Sequence, residues 1–330
     1  MESGDDEGDL LGEAFDELAD VATGELTPME RVQARIDRLG RARARTVEMA
    51  EALSVLAPHE NTVIGKLGRC GTVIMINQYT SIGDVRVNHF DSCDQHLLCG
   101  VCAIRRGLRL MVPNLIKYQA IQKVFPELVP LFMTITVKNG PSLSERFEHL
   151  VGAMRTLKKS RLNARRGDRR GLEFAKVAAS LGSYEVKRGQ GSGLWHPHCH
   201  VLALVEGDVE CGALSHQWRS LTGDSFMVDV RPLDQATAPI KAFCEVFKYA
   251  LKFGDLSPED AWSAREVLRG RKLVSSAGLF RGEACPEAIR AVSKNQIDVM
   301  ERRAGVRCSD IYYEYRPGGI YSVCREKSKF

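Results

Sequence analysis

Three of the chain's eight histidines, His196, His198 and His200, fall within five residues at the mouth of the apolar run Val201-Leu-Ala-Leu-Val205. That run is too short and too β-branched for a helix, so a strand is expected over 195–205. Residues two apart on a strand share a face, so His198 and His200 present two imidazoles to one ion. Further along, Glu245, Tyr249 and Lys252 are spaced four and three apart, which on a helix stacks them on one face. An ion held by imidazoles can polarise a phosphate oxygen, and a phenol flanked by cations can become a nucleophile. The two motifs together suit phosphodiester chemistry.

Each residue also has a plainer reading. One histidine in a sheet is usually satisfied by hydrogen bonds, but an alternating pair ahead of a buried strand favours ligation. A third ligand stays open between Glu185, on the preceding β-like run, and His196, which continues the alternation; either could instead support the ligands from outside. Tyr249 falls on the polar stripe of a helix expected over 237–253, opposite Phe243, Val246, Phe247, Ala250 and Phe253. It is either a surface tyrosine or a phenol activated by Lys248, Lys252 and a nearby ion. Glu245 is either a proton acceptor or half of an ordinary helix ion pair with Lys241 or Lys248.

Two further groups stand out. Cys70, Cys93, Cys99 and Cys102 are four of the ten cysteines and lie within 33 residues, ending in the two-residue knuckle Cys99-Gly-Val-Cys102. Disulfides rarely persist inside cells, so tetrahedral Zn²⁺ held by four thiolates is the expected use. His89 and His96 are rival ligands, and a redox dithiol is the alternative. The second group is basic: Arg155, Lys158, Lys159, Arg161, Arg165, Arg166, Arg169 and Arg170, interrupted only by Asp168. Such a run is either a solvated helix face or a set of phosphate contacts on DNA.

The elements that must position these groups follow from periodicity. Residues 1–28 read as an acidic, disordered tail and 29–58 as a basic helical segment started by Thr27-Pro28 and ended by Pro58. Residues 59–112 read as a Cys-rich module of short β-like runs. Over 113–257, Phe132–Val137 reads as a strand, 142–180 as a helix capped by Ser142 or Ser144, Ser183–Lys187 and 195–205 as an antiparallel hairpin, and 208–222 as another helix. Residues 258–330 read as a helical segment followed by a strand pair turning at Pro317-Gly-Gly319. This order predicts an α+β domain with a central antiparallel sheet, the histidine strand in its middle and flanking helices.

Net charge is +4, yet residues 1–30 hold eleven acidic residues and no basic ones, leaving +15 on the rest. A basic body fits a nucleic-acid partner. No apolar run reaches membrane-spanning length and no export leader is apparent, so a cytoplasmic location without a membrane partner is expected.

Taken in order, three motifs resemble those of the plasmid rolling-circle replication initiators of the HUH endonuclease superfamily, in the group with a single tyrosine and a companion glutamate. Phe132-Met-Thr-Ile-Thr-Val-Lys-Asn139 resembles the first strand motif, Trp195-His-Pro-His-Cys-His-Val-Leu202 the metal motif, and Glu245-Val-Phe-Lys-Tyr-Ala-Leu-Lys252 the nucleophile motif. The cysteines ending in Cys99-Gly-Val-Cys-Ala-Ile-Arg-Arg106 resemble a segment found before the nuclease domain, although proline is expected where Gly100 stands. The resemblance covers about 70–255. It implies a ferredoxin/RRM-like nuclease domain, a Mg²⁺ or Mn²⁺ ion on His198 and His200, and Tyr249 as the group that joins DNA. The implied partners are plasmid origin DNA, presented as a single strand or hairpin, and a host helicase and DNA polymerase; oligomerisation is left open. The competing readings are an HUH transposase, which would pair two tyrosines, a relaxase, which would place its tyrosine first, and a non-catalytic zinc-stabilised DNA-binding protein.

Overall fold

The computed structural model describes residues 27–79, 84–167, 172–189, 191–233, 256–281, 309–316 and 318–324, with Phe243, Val246 and Phe247. In chain order the helices are Pro28–Leu56 (α1), Asn61–Arg69 (α2), Gly100–Val124 (α3), Leu143–Arg165 (α4), Cys211–Thr222 (α5) and Pro258–Leu268 (α6). The strands are Val73–Tyr79 (β1), Asp84–Phe90 (β2), Val129–Thr136 (β3), Val177–Arg188 (β4), Trp195–Val205 (β5), Val228–Pro232 (β6), Val274–Gly278 (β7), Ser309–Arg316 (β8) and Ile320–Val323 (β9). The chain divides into two compact units, one drawing on the chain up to Leu108, on Ser257–Trp262 and on the segment from Val299, the other on Arg109–Leu256 and Ser263–Asp298. The tail beyond 258, expected as one segment, is thus shared between them. Among the described residues no helix is long and apolar enough to cross a membrane.

In the first unit α1 begins where Thr27 and Glu30 form a reciprocal capping box. Its apolar positions Val32, Ile36 and Leu39 are buried, as their four- and three-residue spacing predicts. Several of its basic residues prove structural. Arg43 is buried, donates to the Leu67 and Gly68 carbonyls at the end of α2, and lies over the Tyr315 ring. A cation on those terminal carbonyls satisfies acceptors that the helix leaves free. The segment 61–69, read from sequence as part of an extended module, is this helix.

A four-stranded antiparallel sheet in the order β2-β1-β8-β9 completes the unit. The C-terminal strand pair therefore forms as expected, and its partner is β1, with Ile74 opposite Tyr313. Its turn uses Gly318 and Gly319 at positive φ. Gly319 lies against α1, where a Cβ on Gly40 would stand 2.0 Å from the Gly319 carbonyl oxygen. A mid-helix glycine costs about 1 kcal/mol relative to alanine, so close approach of the hairpin explains its presence.

The second unit is built on a five-stranded antiparallel sheet in the order β6-β3-β5-β4-β7. The histidine strand β5 occupies the centre, as predicted, and spans the expected residues. Helix α4 is capped by Ser142, whose hydroxyl accepts from the Glu145 N–H, and buries Phe147, Leu150, Met154 and Leu157. Helix α5 is fixed beneath β3 by the buried Trp218, whose indole N–H donates to the Thr136 carbonyl at 2.7 Å.

Two sequence expectations need correction. The helix read over 142–180 ends at Arg165, and β4 already begins at Val177. The Val-Ala-Ala-Ser-Leu-Gly run is neutral in propensity, and backbone pairing to Val201–Val205 on one side and β7 on the other decides it. Arg161 adds to that choice by donating to the Val177 and Ala178 carbonyls. The long helix α3 was not expected: it runs through the boundary placed between 112 and 113 and replaces the β-like reading of its first half, with Pro113 inside it.

The Gly40 contact gives a test of the first unit's closure. Gly40→Ala should raise helix propensity yet destabilise the protein by roughly 1–3 kcal/mol, since the new methyl meets backbone that cannot move cheaply. Urea denaturation followed by circular dichroism measures the difference.

Candidate active site

Antiparallel pairing fixes which side chains meet on the face of the second sheet. His198 lies opposite Glu185 on β4 and Thr136 on β3, and His200 lies opposite Ser183 and Thr134. Directly opposed residues share a face, so a carboxylate joins the two imidazoles. Glu185 Oε2 is 3.2 Å from His198 Nε2 and 3.1 Å from His200 Nε2. All three residues are buried, Glu185 to 1% relative exposure. Their ligand atoms lie within 4.8 Å of one another, a group that could hold a metal ion.

The spacing fits a metal centre. Ligands about 2.1 Å from a common octahedral ion stand about 3.0 Å apart, close to the two N···O distances here. The far side of each ring also has a partner: His200 Nδ1 lies 3.2 Å from Thr134 Oγ1, and His198 Nδ1 lies 3.4 Å from the His196 carbonyl. With the Nδ1 proton on that side, each Nε2 would present its lone pair to an ion lying between the rings and Glu185. Phe132 stacks on His200 at 5.3 Å. Two imidazoles and one carboxylate leave coordination positions open for a substrate oxygen.

Of the two residues left open as third ligand, Glu185 joins the group and His196 does not. The His196 ring turns to Asn139, its Nδ1 2.5 Å from Asn139 Oδ1. Burial, then the neighbouring His198 and Lys187, push the His196 pKa down, which keeps its imidazole neutral. Lys187 reaches back to Glu185, Nζ to Oε1 3.5 Å, with about half its side chain exposed.

Glu245, Tyr249 and Lys252 lie outside the described residues. Around them, Phe243, Val246 and Phe247 are helical and fully buried, as the apolar stripe predicts. Phe243 meets Tyr118 edge to face at 5.4 Å.

In the first unit the four cysteines come together from separate elements. Cys70 caps α2, Cys93 lies in the loop after β2, Cys99 precedes α3 and Cys102 sits in its first turn. The Cys70–Cys102, Cys93–Cys102 and Cys99–Cys70 sulfur pairs are each 3.5 Å apart, and all four residues are buried. Four sulfurs about 2.3 Å from one ion would stand about 3.8 Å apart in a tetrahedron, so the cluster fits a closed thiolate centre. His96, one proposed rival, is not part of this group, and the side chain of the other, His89, lies outside the described residues.

Hydrogen bonds from Cys70, Cys93 and Cys99 drive the Cys102 thiol well below its ordinary range, while those from Cys102 drive Cys70 far above it. Gly100 is explained too. Its N–H donates to Thr46 Oγ1 at 3.2 Å, and a Cβ there would be 3.0 Å from the Ala42 carbonyl oxygen. The proline expected at this place could neither donate nor fit.

The basic run of α4 is mixed. Lys159 and Arg166 are exposed. Arg161 is buried at 3% exposure, bound to the carbonyls of β4, which removes it from any phosphate-binding face. Lys158 donates to Ser275 Oγ at 2.6 Å, and burial lowers its pKa. Arg165 pairs with Glu206 at 2.7 Å. Arg169 and Arg170 lie outside the described residues.

Sequence reasoning missed Thr134. Its alternation with Phe132 and Thr136 was visible, but only the β3–β5 register shows that it reaches His200.

A family model described as a replication protein matches residues 85–317. A curated relative named Protein rep, from Streptococcus pneumoniae serotype 2 (strain D39 / NCTC 7466), is 26% identical over 253 residues, spanning 72% of this chain and 75% of its own. No solved structure matches significantly.

The Thr134–His200 contact predicts a measurable effect. Thr134→Val should weaken binding of Mn²⁺ about 10- to 100-fold, read by isothermal titration calorimetry, whereas Thr134→Ser should stay near wild type.

Proposed function

The chain belongs to the replication protein family, and on that premise we propose that it is a plasmid rolling-circle replication initiator that nicks its origin through Tyr249. The observation that carries this reading is the buried Glu185–His198–His200 group, held on adjacent strands of an antiparallel sheet, with the nucleophile motif following it in the chain. The histidine pair, and its place ahead of the nucleophile motif, are what the HUH resemblance implies; Glu185 is the carboxylate that the strand pairing adds.

When bound by those three residues, Mg²⁺ or Mn²⁺ would supply Lewis-acid polarisation of a non-bridging oxygen of the scissile phosphate. The Tyr249 phenol gives its proton to solvent, its oxygen attacks phosphorus in line, and the departing O3′ takes a proton from solvent. The P–O3′ bond breaks, leaving a 5′-phosphotyrosine and a free 3′-OH to prime synthesis. Lys252, one turn along the same expected helix face, stabilises the phenolate. In a second cleavage that ends the round, Glu245 takes a proton from water as its oxygen attacks the regenerated nick-site phosphate and breaks the P–O3′ bond; the freed 3′-OH then displaces Tyr249 from the 5′-phosphotyrosine and closes the circle. The bond to tyrosine keeps the free energy of the phosphodiester, so rejoining needs no nucleotide.

On the other face of the sheet, the exposed Lys159 and Arg166, with the neighbouring Arg169 and Arg170, bind origin phosphates away from the nick, and a host helicase and polymerase extend the primer. Cys70, Cys93, Cys99 and Cys102 hold a structural Zn²⁺ that fixes the first unit.

Tyr249→Phe should retain binding to a single-stranded origin oligonucleotide and lose the covalent protein–DNA adduct on a denaturing gel. An adduct that survives removes Tyr249 from the mechanism. The double change His198→Ala and His200→Ala should cut Mn²⁺-supported cleavage by at least about 100-fold; undiminished cleavage would overturn the metal role. For the cysteine centre, Cys70→Ser should abolish stoichiometric Zn²⁺ measured by mass spectrometry and lower the unfolding temperature. An unchanged zinc content counts against this ligand set.

A further inference from the structure

Ser183 is fully buried, at 0% exposure, and its hydroxyl has no hydrogen-bond partner among the described residues. It is the one buried hydroxyl among them left so. Other hydroxyls of the second unit are used. Thr134 Oγ1 meets His200 Nδ1 at 3.2 Å, Ser275 Oγ accepts from Lys158, and Ser225 Oγ accepts from the Lys138 N–H. A hydroxyl taken out of water without a replacement bond destabilises a fold. A partner is called for, and no described residue supplies one.

The strand pairing says which side this hydroxyl serves. Ser183 lies opposite His200 and two residues before Glu185, so it shares the face that carries both. Tyr184, between them, turns the other way and packs on Phe147 of α4. On its other flank Ser183 pairs with Val274 of β7, which brings no polar side chain. The hydroxyl therefore borders the Glu185–His198–His200 group. It makes no hydrogen bond to Glu185 or His200, so it stands outside the donor atoms themselves. Directly opposed residues have Cβ atoms about 5 Å apart, a separation across which a single water can bridge polar groups.

We propose that Ser183 is a positioning residue of the metal centre. Its hydroxyl holds one water of the ion's shell and so favours Mn²⁺ or Mg²⁺ over Zn²⁺ at Glu185, His198 and His200. The inference rests on the metal role in the proposed nicking reaction and adds what selects the ion. Two imidazoles and a carboxylate do not choose by themselves, since the same donor types also hold tetrahedral Zn²⁺. Mn²⁺ and Mg²⁺ prefer six donors, mostly oxygen, and Mg²⁺ keeps several waters. A fixed hydroxyl beside the ligands orders one such water, which stabilises the six-coordinate ion more than the four-coordinate one.

The test uses the full chain, its cysteine centre already filled with Zn²⁺, and reads the ion rather than the reaction. Electron paramagnetic resonance follows free Mn²⁺ during titration, and further Zn²⁺ then displaces the bound Mn²⁺. Ser183→Ala should weaken Mn²⁺ binding about 10- to 100-fold, with Zn²⁺ affinity at this group near wild type. Without Mn²⁺ the variant should unfold at or above the wild-type temperature, because alanine removes a hydroxyl that nothing there satisfies. At equal Mn²⁺ its gain in unfolding temperature should be the smaller. A lowered unfolding temperature with wild-type Mn²⁺ affinity would make the hydroxyl merely structural and overturn the assignment. An equal loss of affinity for Mn²⁺ and Zn²⁺ overturns it too, while the three ligands keep their role. Wild-type protein that binds no Mn²⁺ overturns the metal role and the assignment together, whereas an adduct surviving in Tyr249→Phe removes the tyrosine and leaves Ser183 in place.

Discussion

The register between β4 and β5 is the constraint on which the site depends. Glu185 meets His198 and His200 only because it stands opposite His198 in an antiparallel ladder running from Val177–Val205 to Arg188–Trp195. Side chains alternate faces at every residue, so a slip of one position would turn Glu185 away from both imidazoles. Nothing local to Glu185 enforces its position. The register is held by the apolar ends of the same strands, where Leu181, Leu202, Ala203 and Leu204 are essentially fully buried. Because consecutive residues there are buried on both faces, a slip would misfit the close packing on each side as well as dismantle the site, so the packing that stabilises the fold also aims the ligands.

Placing a carboxylate at 1% exposure is costly unless positive charge meets it. The Lys187 ammonium at 3.5 Å answers part of that cost, and an ion held between the carboxylate and the two Nε2 atoms would answer more. The surrounding polarity is unusual for the interior of a sheet: Thr134 stands beside His200, and the Ser183 hydroxyl is buried with no hydrogen-bond partner among the described residues. The opposite face is built otherwise. There Tyr184 packs edge to face on Phe147 and burial pushes the Cys199 thiol up to about 12, so it stays protonated and inert. One face is a packed core beneath α4, and the other is a polar centre. Alternation within β4 and β5 separates them.

How far this was legible follows from the range of the forces involved. The histidine strand, the α4 stripe with its Ser142 cap and the C-terminal hairpin are local patterns, and each was readable from a dozen residues or fewer. The choice between Glu185 and His196 was not, because both satisfy the alternation and only cross-strand pairing and the Asn139 contact separate them. The start of β4 was misread for a related reason: Ala178 and Ala179 favour helix in isolation, and pairing on both sides overrides them. The basic run of α4 shows the limit from another side. Arg161 and Arg166 look alike in sequence, yet one is buried against β4 and the other is exposed. Charge alone could not sort a structural arginine from one available to phosphate.

The two clusters of donor groups differ in chemistry as their surroundings require. Four thiolates are soft and complete a tetrahedron by themselves, leaving no position for a substrate. Their donors come from the end of α2, the loop after β2 and the start of α3, and Gly100 and Thr46 add a contact from α1. Such a centre ties elements together. The Glu185–His198–His200 group does the reverse: all its donors lie on two adjacent strands already locked by their ladder, so an ion adds little to the fold. Three donors on rigid strands leave coordination positions of an ion unfilled by the described residues. A centre that contributes little to folding and retains open positions is arranged for a ligand from outside the chain.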